Sequence, residues 1–202
     1  LLWWTPNPRL VLLPGSSHVS RSLKKKIRQS TWCIRYDTQF SEVISQCAKI
    51  NRDQPETGTW ITANMQSAFK QLHSLGIAHS IEVMKGDTLV GGLYGVLLDK
   101  VFFGESMFSL ESNASKFAFI ALDKICCAGG IKLVDCQIHS PHLESLGARS
   151  MSREGFEKRL REAISTPMAS ILTHPYSMAP EIASPINQRL RCPAPTEVTS
   201  LR

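Results

Sequence analysis

Two short segments carry polar side chains where an ordinary core strand would carry apolar ones. In Leu133-Val-Asp-Cys-Gln137, strand alternation points Asp135 and Gln137 to one face and Val134 and Cys136 to the other. A carboxylate beside a carboxamide can hold a nucleophile's proton. In Phe102-Phe-Gly-Glu-Ser-Met-Phe108, Glu105 and Met107 share a face, and a bulge at Gly104 would turn Phe102 toward them. A negative charge ringed by apolar groups suits a cationic acceptor. A third group is defined by charge: Arg21, Lys24, Lys25, Lys26 and Arg28 form a run of the kind that attracts phosphates. Each feature also has a plain structural reading, the run as a solvated helix face and the two acids as strand-end carboxylates with local hydrogen bonds.

Other chemistries lack their residues. His139 and His142 are separated by a proline and have no third ligand at recognisable spacing, so no zinc site is expected. There is no G-x-S-x-G elbow around Ser106 or elsewhere, no P-loop and no G-x-G-x-x-G turn. The six cysteines are scattered without a C-x-x-C pair, and Cys126 and Cys127 fall on an apolar helical run, so a reduced, cytoplasmic chain is expected. No cofactor is called for.

The 202 residues are 43% hydrophobic and 20% charged, enough to bury a sizeable core. The longest uncharged apolar stretch, Leu89 to Leu98, is far short of the roughly 18 to 20 residues that cross a bilayer. The net charge of +6 is unevenly placed, because residues 1–50 hold eight Lys/Arg against two acids while the remainder holds fifteen of each. The first residues lack an initiating methionine and a basic leader, so the chain is expected to begin inside a domain.

The elements that must position these groups follow from periodicity. Trp32, Ile34 and Tyr36 alternate as in a strand, with the basic run just before it. Phe40, Val43, Ile44 and Cys47 recur at helical spacing after Asp37 or Thr38, and a polar loop follows from Asn51 to Gly58. A second helix is expected from Thr62, with Met65, Phe69, Leu72 and Leu75 on its core face and Gly76 as its cap. His79–Met84, Thr88–Leu98 and Val101–Phe108 read as three antiparallel strands joined by tight turns. Gly91, Gly92 and Gly95 inside the middle strand imply bulges or close approach of another group. Asn113 is placed to cap a helix bearing Phe117, Ile120, Ala121 and Ile125, ending at Gly129-Gly130. A strand over Lys132–Gln137 follows, then a helix opened by Ser140-Pro141 and one opened by Ser152 with Phe156, Leu160 and Ile164 inward. Residues 165–202 hold six of the eleven prolines and are expected to form a disordered tail. The element order predicts an α+β protein with an antiparallel-rich mixed sheet and helices on both faces.

A set of longer blocks adds to this. Leu2-Trp-Trp-Thr-Pro-Asn-Pro-Arg9, Gly58-Thr-Trp-Ile-Thr62, Ala78-His-Ser-Ile-Glu82, Leu89-Val-Gly-Gly-Leu-Tyr-Gly-Val96, Gly104-Glu-Ser-Met-Phe-Ser109, Asn113-Ala-Ser-Lys116, Asp135-Cys-Gln137 and Ser145-Leu-Gly-Ala148 resemble, in this order, the leucyl/phenylalanyl-tRNA–protein transferases. The resemblance spans about Leu1 to Ile164. It implies a large domain like the N-acetyltransferase (GNAT) fold over residues 31–164, preceded over residues 1–30 by the remnant of an N-terminal domain and the basic segment. It implies transfer of Leu or Phe, with Met a further donor, from aminoacyl-tRNA to an N-terminal Arg or Lys of an acceptor protein, marking that protein for N-end-rule degradation in a bacterial cytoplasm by a monomeric enzyme. By motif match, Asp135 and Gln137 would relay the proton and Glu105 would hold the basic acceptor. Trp60, Leu93, Phe102 and Met107 would line the donor pocket, and Arg21, Lys24, Lys25, Lys26 and Arg28 would contact the tRNA.

The residues agree with that role, since an aminoacyl ester is already activated and an α-amine of pKa near 8 is partly neutral at pH 7, leaving alignment and proton removal as the tasks. Two rivals stand beside it. An acyl-CoA-dependent N-acetyltransferase would share the fold, but His73-Ser-Leu-Gly-Ile-Ala78 is the nearest approach to a pyrophosphate loop and lies at a helix C-terminus. An inactive RNA-binding paralogue would not need Glu105, Asp135 and Gln137 together.

Overall fold

The computed structural model describes residues 5–50 and 59–164. The Asn51–Gly58 loop, the residues before Thr5 and the segment after Ile164 that was expected to be disordered lie outside the described residues. Seven strands form one sheet: β1 (Arg9–Leu12), β2 (Trp32–Tyr36), β3 (Ala78–Lys85), β4 (Thr88–Leu98), β5 (Val101–Ser109), β6 (Leu133–Gln137) and β7 (Arg149–Met151). Their order across the sheet is β2-β3-β4-β5-β6-β1-β7, and every pair is antiparallel except β5–β6. Helices α1 (Arg21–Gln29), α2 (Phe40–Ile50), α3 (Ala63–Ser74), α4 (Ala114–Ala128), α5 (Pro141–Glu144) and α6 (Arg153–Ala163) cover both faces. The class is α+β, as the element order predicts.

Alternation along β4 divides the core. Leu93 packs toward α1 and α4 with Phe102, Phe117 and Leu122, whereas its neighbour Tyr94 packs toward α2 and α3 with Phe40, Cys47 and Phe69. A third cluster under α6 joins Val11, Val101, Leu133 and Phe156. Close approach explains the glycines. A Cβ on Gly91 would stand 2.5 Å from the Ala114 Cβ, so α4 can lie on β4 only because that position is bare.

The structure differs from expectation at several points. Residues 9–12, assigned to an N-terminal remnant, are an inner strand of the main sheet between β6 and β7. A four-residue strand after two prolines carries too little alternation to be read in advance. Asn113 adopts a left-handed conformation and makes no side-chain cap; the Ser109 hydroxyl instead accepts from the Ser115 N–H at 3.2 Å. Met65, Leu75 and Ile164 are exposed; Leu75 and Ile164 are the C-cap residues just past the ends of α3 and α6, and Met65 lies in the first turn of α3. Ser140, Thr62 and Ser152 cap α5, α3 and α6 as their sequences predict. Cys47, Cys126, Cys127 and Cys136 are free thiols. Among the described residues no helix is long and apolar enough to cross a membrane.

Candidate functional site

The site lies where the β5–β6 pairing runs out. These strands are paired only from Val101–Leu133 to Phe103–Asp135, although β5 continues to Ser109. On its other side β5 is out of step with β4: Tyr94 faces Ser106 and Gly95 faces Gly104, leaving Glu105 as the extra residue of a bulge. The bulge brings Phe102 and Met107 to the same wall. A cavity of about 280 Å³ opens here, with Leu93, Phe102, Met107, Phe119, Leu122, Val134 and Leu143 on its apolar side. Glu105, Ser106 and Asp135 supply its polar side.

Asp135 and Gln137 meet by a different route from the one alternation suggests. Gln137 has φ of 65°, so the strand pattern breaks at its last residue. Its backbone N–H donates to Asp135 Oδ1 at 2.9 Å, and its Nε2 donates to the Gly104 carbonyl at 2.7 Å, tying the ends of β5 and β6 together. Asp135 itself is fully buried and is gripped by Arg9, whose Nε lies 3.0 and 3.1 Å from the two carboxylate oxygens and whose Nη2 lies 2.6 Å from Oδ2. The guanidinium stacks over the Phe156 ring at 4.8 Å. Arg9 is the main residue that sequence reasoning missed. Its signal was a single cation ending a proline-rich block, with its buried partner 126 residues away.

Glu105 is held above the usual carboxylate range. Burial is the dominant cause, opposed by a hydrogen bond from Gln137, with the nearby Asp135 pushing up and Arg9 pulling down. Tyr94 is pushed up as well, by burial and then by its neighbours Cys47 and Glu105, and its hydroxyl is buried without a hydrogen-bond partner. The Ser106 hydroxyl is engaged with the Cys47 thiol.

Of the expected site residues, Glu105, Asp135, Leu93, Phe102 and Met107 meet at one cavity, with Gln137 at its edge. Trp60 does not line this cavity and is 48% exposed. Arg21, Lys24, Lys25 and Arg28 lie together along one open face of α1, with Gln29 beside them. Lys26 points elsewhere, its Nζ lying 5.8 Å from the centre of the Trp32 ring. His73 to Ala78 leaves the C-terminal end of α3, where outward-facing groups are carbonyls, and the His73 ring bonds the Ala78 carbonyl at 2.9 Å.

The site is thus an apolar cavity closed by the carboxylates Glu105 and Asp135, on a mixed sheet covered on both faces. The family model described as leucyl/phenylalanyl-tRNA protein transferase matches residues 11–161, and the chain belongs to this aminoacyltransferase family. Curated members include that of Desulfatibacillum aliphaticivorans, 46% identical over 167 residues, covering 83% of this chain and 71% of the relative. That of Nitrosospira multiformis is 49% identical, covering 81% and 70%, and that of Hydrogenovibrio crunogenus is 52% identical, covering 80% and 63%. The chain therefore spans roughly two thirds of these relatives' length. Among solved structures, an aminoglycoside acetyltransferase from an uncultured soil metagenomic sample aligns over 55% of this chain and 79% of its own, with 11% identity and a TM-score of 0.43. A GCN5-related N-acetyltransferase from Kribbella flavida aligns over 73% and 55%, with 11% identity and a TM-score of 0.42.

Proposed function

We propose that this chain transfers Leu or Phe, with Met a further donor, from aminoacyl-tRNA to the N-terminal Arg or Lys of an acceptor protein, as a monomer in the cytoplasm, marking that protein for degradation. The observation that carries the reading is the two-sided cavity: an apolar wall sized for one amino-acid side chain ends on Glu105 and on the Asp135–Gln137 pair.

The donor side chain enters between Leu93, Phe102 and Met107, with Phe119 and Leu122 behind. Fit to this wall favours long or aromatic side chains, and one missing methylene costs about 1 to 3 kcal/mol. The ester carbonyl then lies at the polar side, and the acceptor's cationic side chain is drawn to Glu105, whose charge becomes less costly once a guanidinium or ammonium supplies hydrogen bonds. The amine attacks the carbonyl carbon, the bond to the tRNA 3′-oxygen breaks, and the amine's surplus proton ends on that oxygen. Gln137 orients the amine through its carboxamide oxygen. Asp135, clamped by Arg9, acts by holding Gln137 rather than as an open base. The open face of α1 with Arg21, Lys24, Lys25 and Arg28 binds tRNA phosphates without reading sequence.

Incubation of the chain with radiolabelled Leu-tRNA and an Arg-started peptide tests the reading. Label should move to the peptide and resist mild base, which hydrolyses the ester but not the new peptide bond. Label that stays base-labile on tRNA at saturating acceptor refutes it.

A further inference from the structure

Strand β5 loses its second neighbour partway along. Beyond the Phe103–Asp135 pair it runs on to Ser109 beside β4 alone, while β6 ends at Gln137 and the chain turns away through Ile138 toward α5. This free edge lies at the centre of the sheet rather than at its rim, and the cavity occupies the space beside it. The lining takes in the consecutive residues Gly104 to Met107 and, across the gap, Asp135, Cys136 and Leu143.

Backbone alternation shows which groups face the gap. The Leu97 N–H donates to the Ile77 carbonyl, so Leu93, four residues earlier, also turns its main chain toward β3, and its partner Met107 turns away from β4. The Leu110 N–H, donating to the Val90 carbonyl on β4, fixes the same phase from the other end and turns Ser109 outward as well. At the near end the Gly104 carbonyl points into the gap and takes the Gln137 Nε2. Among the described residues no hydrogen bond reaches the outward N–H and C=O of Met107. Such an edge is a template for one more strand.

Glu105 stands at the start of this edge and takes the acceptor's first side chain. From there the acceptor has one way along β5, because toward Phe103 the edge is filled by β6, whereas toward Ser109 it is open and ends in an exposed residue. The tRNA end is a poor match: Glu105 and Asp135 repel its phosphates, and it lacks repeating N–H and C=O groups.

We infer, on the reading of the site as an aminoacyl-transfer centre, that the acceptor polypeptide docks as an added strand on β5, parallel to it and in the place that β6 vacates. The Met107 N–H donates to one acceptor carbonyl, and the Met107 C=O accepts an acceptor N–H two residues further on. Ser109 repeats the pattern. Because main-chain groups make these contacts, acceptor residues beyond the first go unread, and any chain that can extend is taken.

Arg-started peptides, each N-methylated at one amide among residues 2 to 5, test the docking on the full chain without altering it. Each is read twice, by kcat/KM for Leu transfer and by displacement of a fluorescent Arg-started peptide. Where the lost N–H faced Met107 or Ser109, both measures should worsen about tenfold, while the alternate positions, which face away, stay within twofold of the parent peptide. A loss with period two is what strand pairing gives and crowding does not. Equal loss at every position, or none at any, overturns the docking by either measure, and in a chain that transfers it leaves the reading of the site intact. Alternating loss in displacement without transfer keeps the docking and overturns that reading. A chain that binds no Arg-started peptide overturns both.

Discussion

Arg9→Met isolates the tie on which the polar half of the site depends. Asp135 has no exposed side-chain surface, and three of its hydrogen bonds, of 2.6 to 3.1 Å, come from Arg9. With the guanidinium gone, the carboxylate keeps the Gln137 N–H at 2.9 Å but sits in the interior with no positive partner. Breaking a buried pair from one side in this way costs about 3 to 5 kcal/mol, mostly the penalty of the stranded charge rather than the worth of the pair. For a protein of this length, about 2 to 4 °C per kcal/mol gives a midpoint lowered by about 6 to 20 °C. Methionine keeps an unbranched apolar stem over Phe156, so altered packing adds little.

Urea unfolding followed by circular dichroism, on the parent, Arg9→Met, Asp135→Asn and the double variant, closes the cycle. Asparagine retains an oxygen for the Gln137 N–H and carries no charge, so the double variant should be more stable than Arg9→Met alone. A coupling of about 2 kcal/mol or more is expected. Arg9→Lys should fall between parent and Met, since an ammonium supplies the charge without the two-pronged geometry. Two results refute the reasoning. One is Arg9→Met within about 1 kcal/mol of the parent, which is how an exposed pair behaves; the other is additivity of the two single changes.

Three further predictions rest on other parts of the molecule. Neutralising Lys24, Lys25 and Arg28, which share the open face of α1, should weaken aminoacyl-tRNA binding and reduce the salt slope by about one for each phosphate left without its cation, while Lys26→Ala leaves the slope unchanged; filter binding across a salt series reads both. Glu105 binds its proton more tightly folded than unfolded, so its contribution is fully present below the ordinary carboxylate range and is lost as pH rises through the raised folded value; Glu105→Gln should therefore be more stable than the parent at pH 7 by denaturant unfolding, with the difference vanishing under acid conditions. Gly91→Ala puts a methyl 2.5 Å from the Ala114 Cβ and 3.1 Å from its backbone carbon, so α4 must lift from β4, at a cost of about 1 to 3 kcal/mol by thermal unfolding.

How far the sequence carried these conclusions depends on the range over which each signal acts. The three strands from Ala78 to Ser109 were legible because alternation and tight turns are local, and the caps at Thr62, Ser140 and Ser152 because a hydroxyl bonds an N–H three residues on. The bulge was legible only as a glycine beside a charge: Gly104 marked the place, but that Glu105 is the surplus residue is fixed by β4, which meets it from the far side of a turn. Gln137 was placed beside Asp135 for a reason that fails, since its left-handed backbone breaks the alternation on which the pairing was argued, yet that same conformation delivers its N–H to the carboxylate. Arg9 and Tyr94 were illegible for opposite reasons. Arg9 is defined by a partner 126 residues away, which no window along the chain can join to it. Tyr94 is defined by having no partner, and a residue type with high strand propensity in an apolar strand gives no hint that its hydroxyl is unmet. A strand that is paired on both edges commits its backbone groups to its neighbours; where β5 and β6 part, side chains and whatever enters the cavity must meet the remaining demand, and the chemistry therefore gathers at a position that neither strand's own sequence marks.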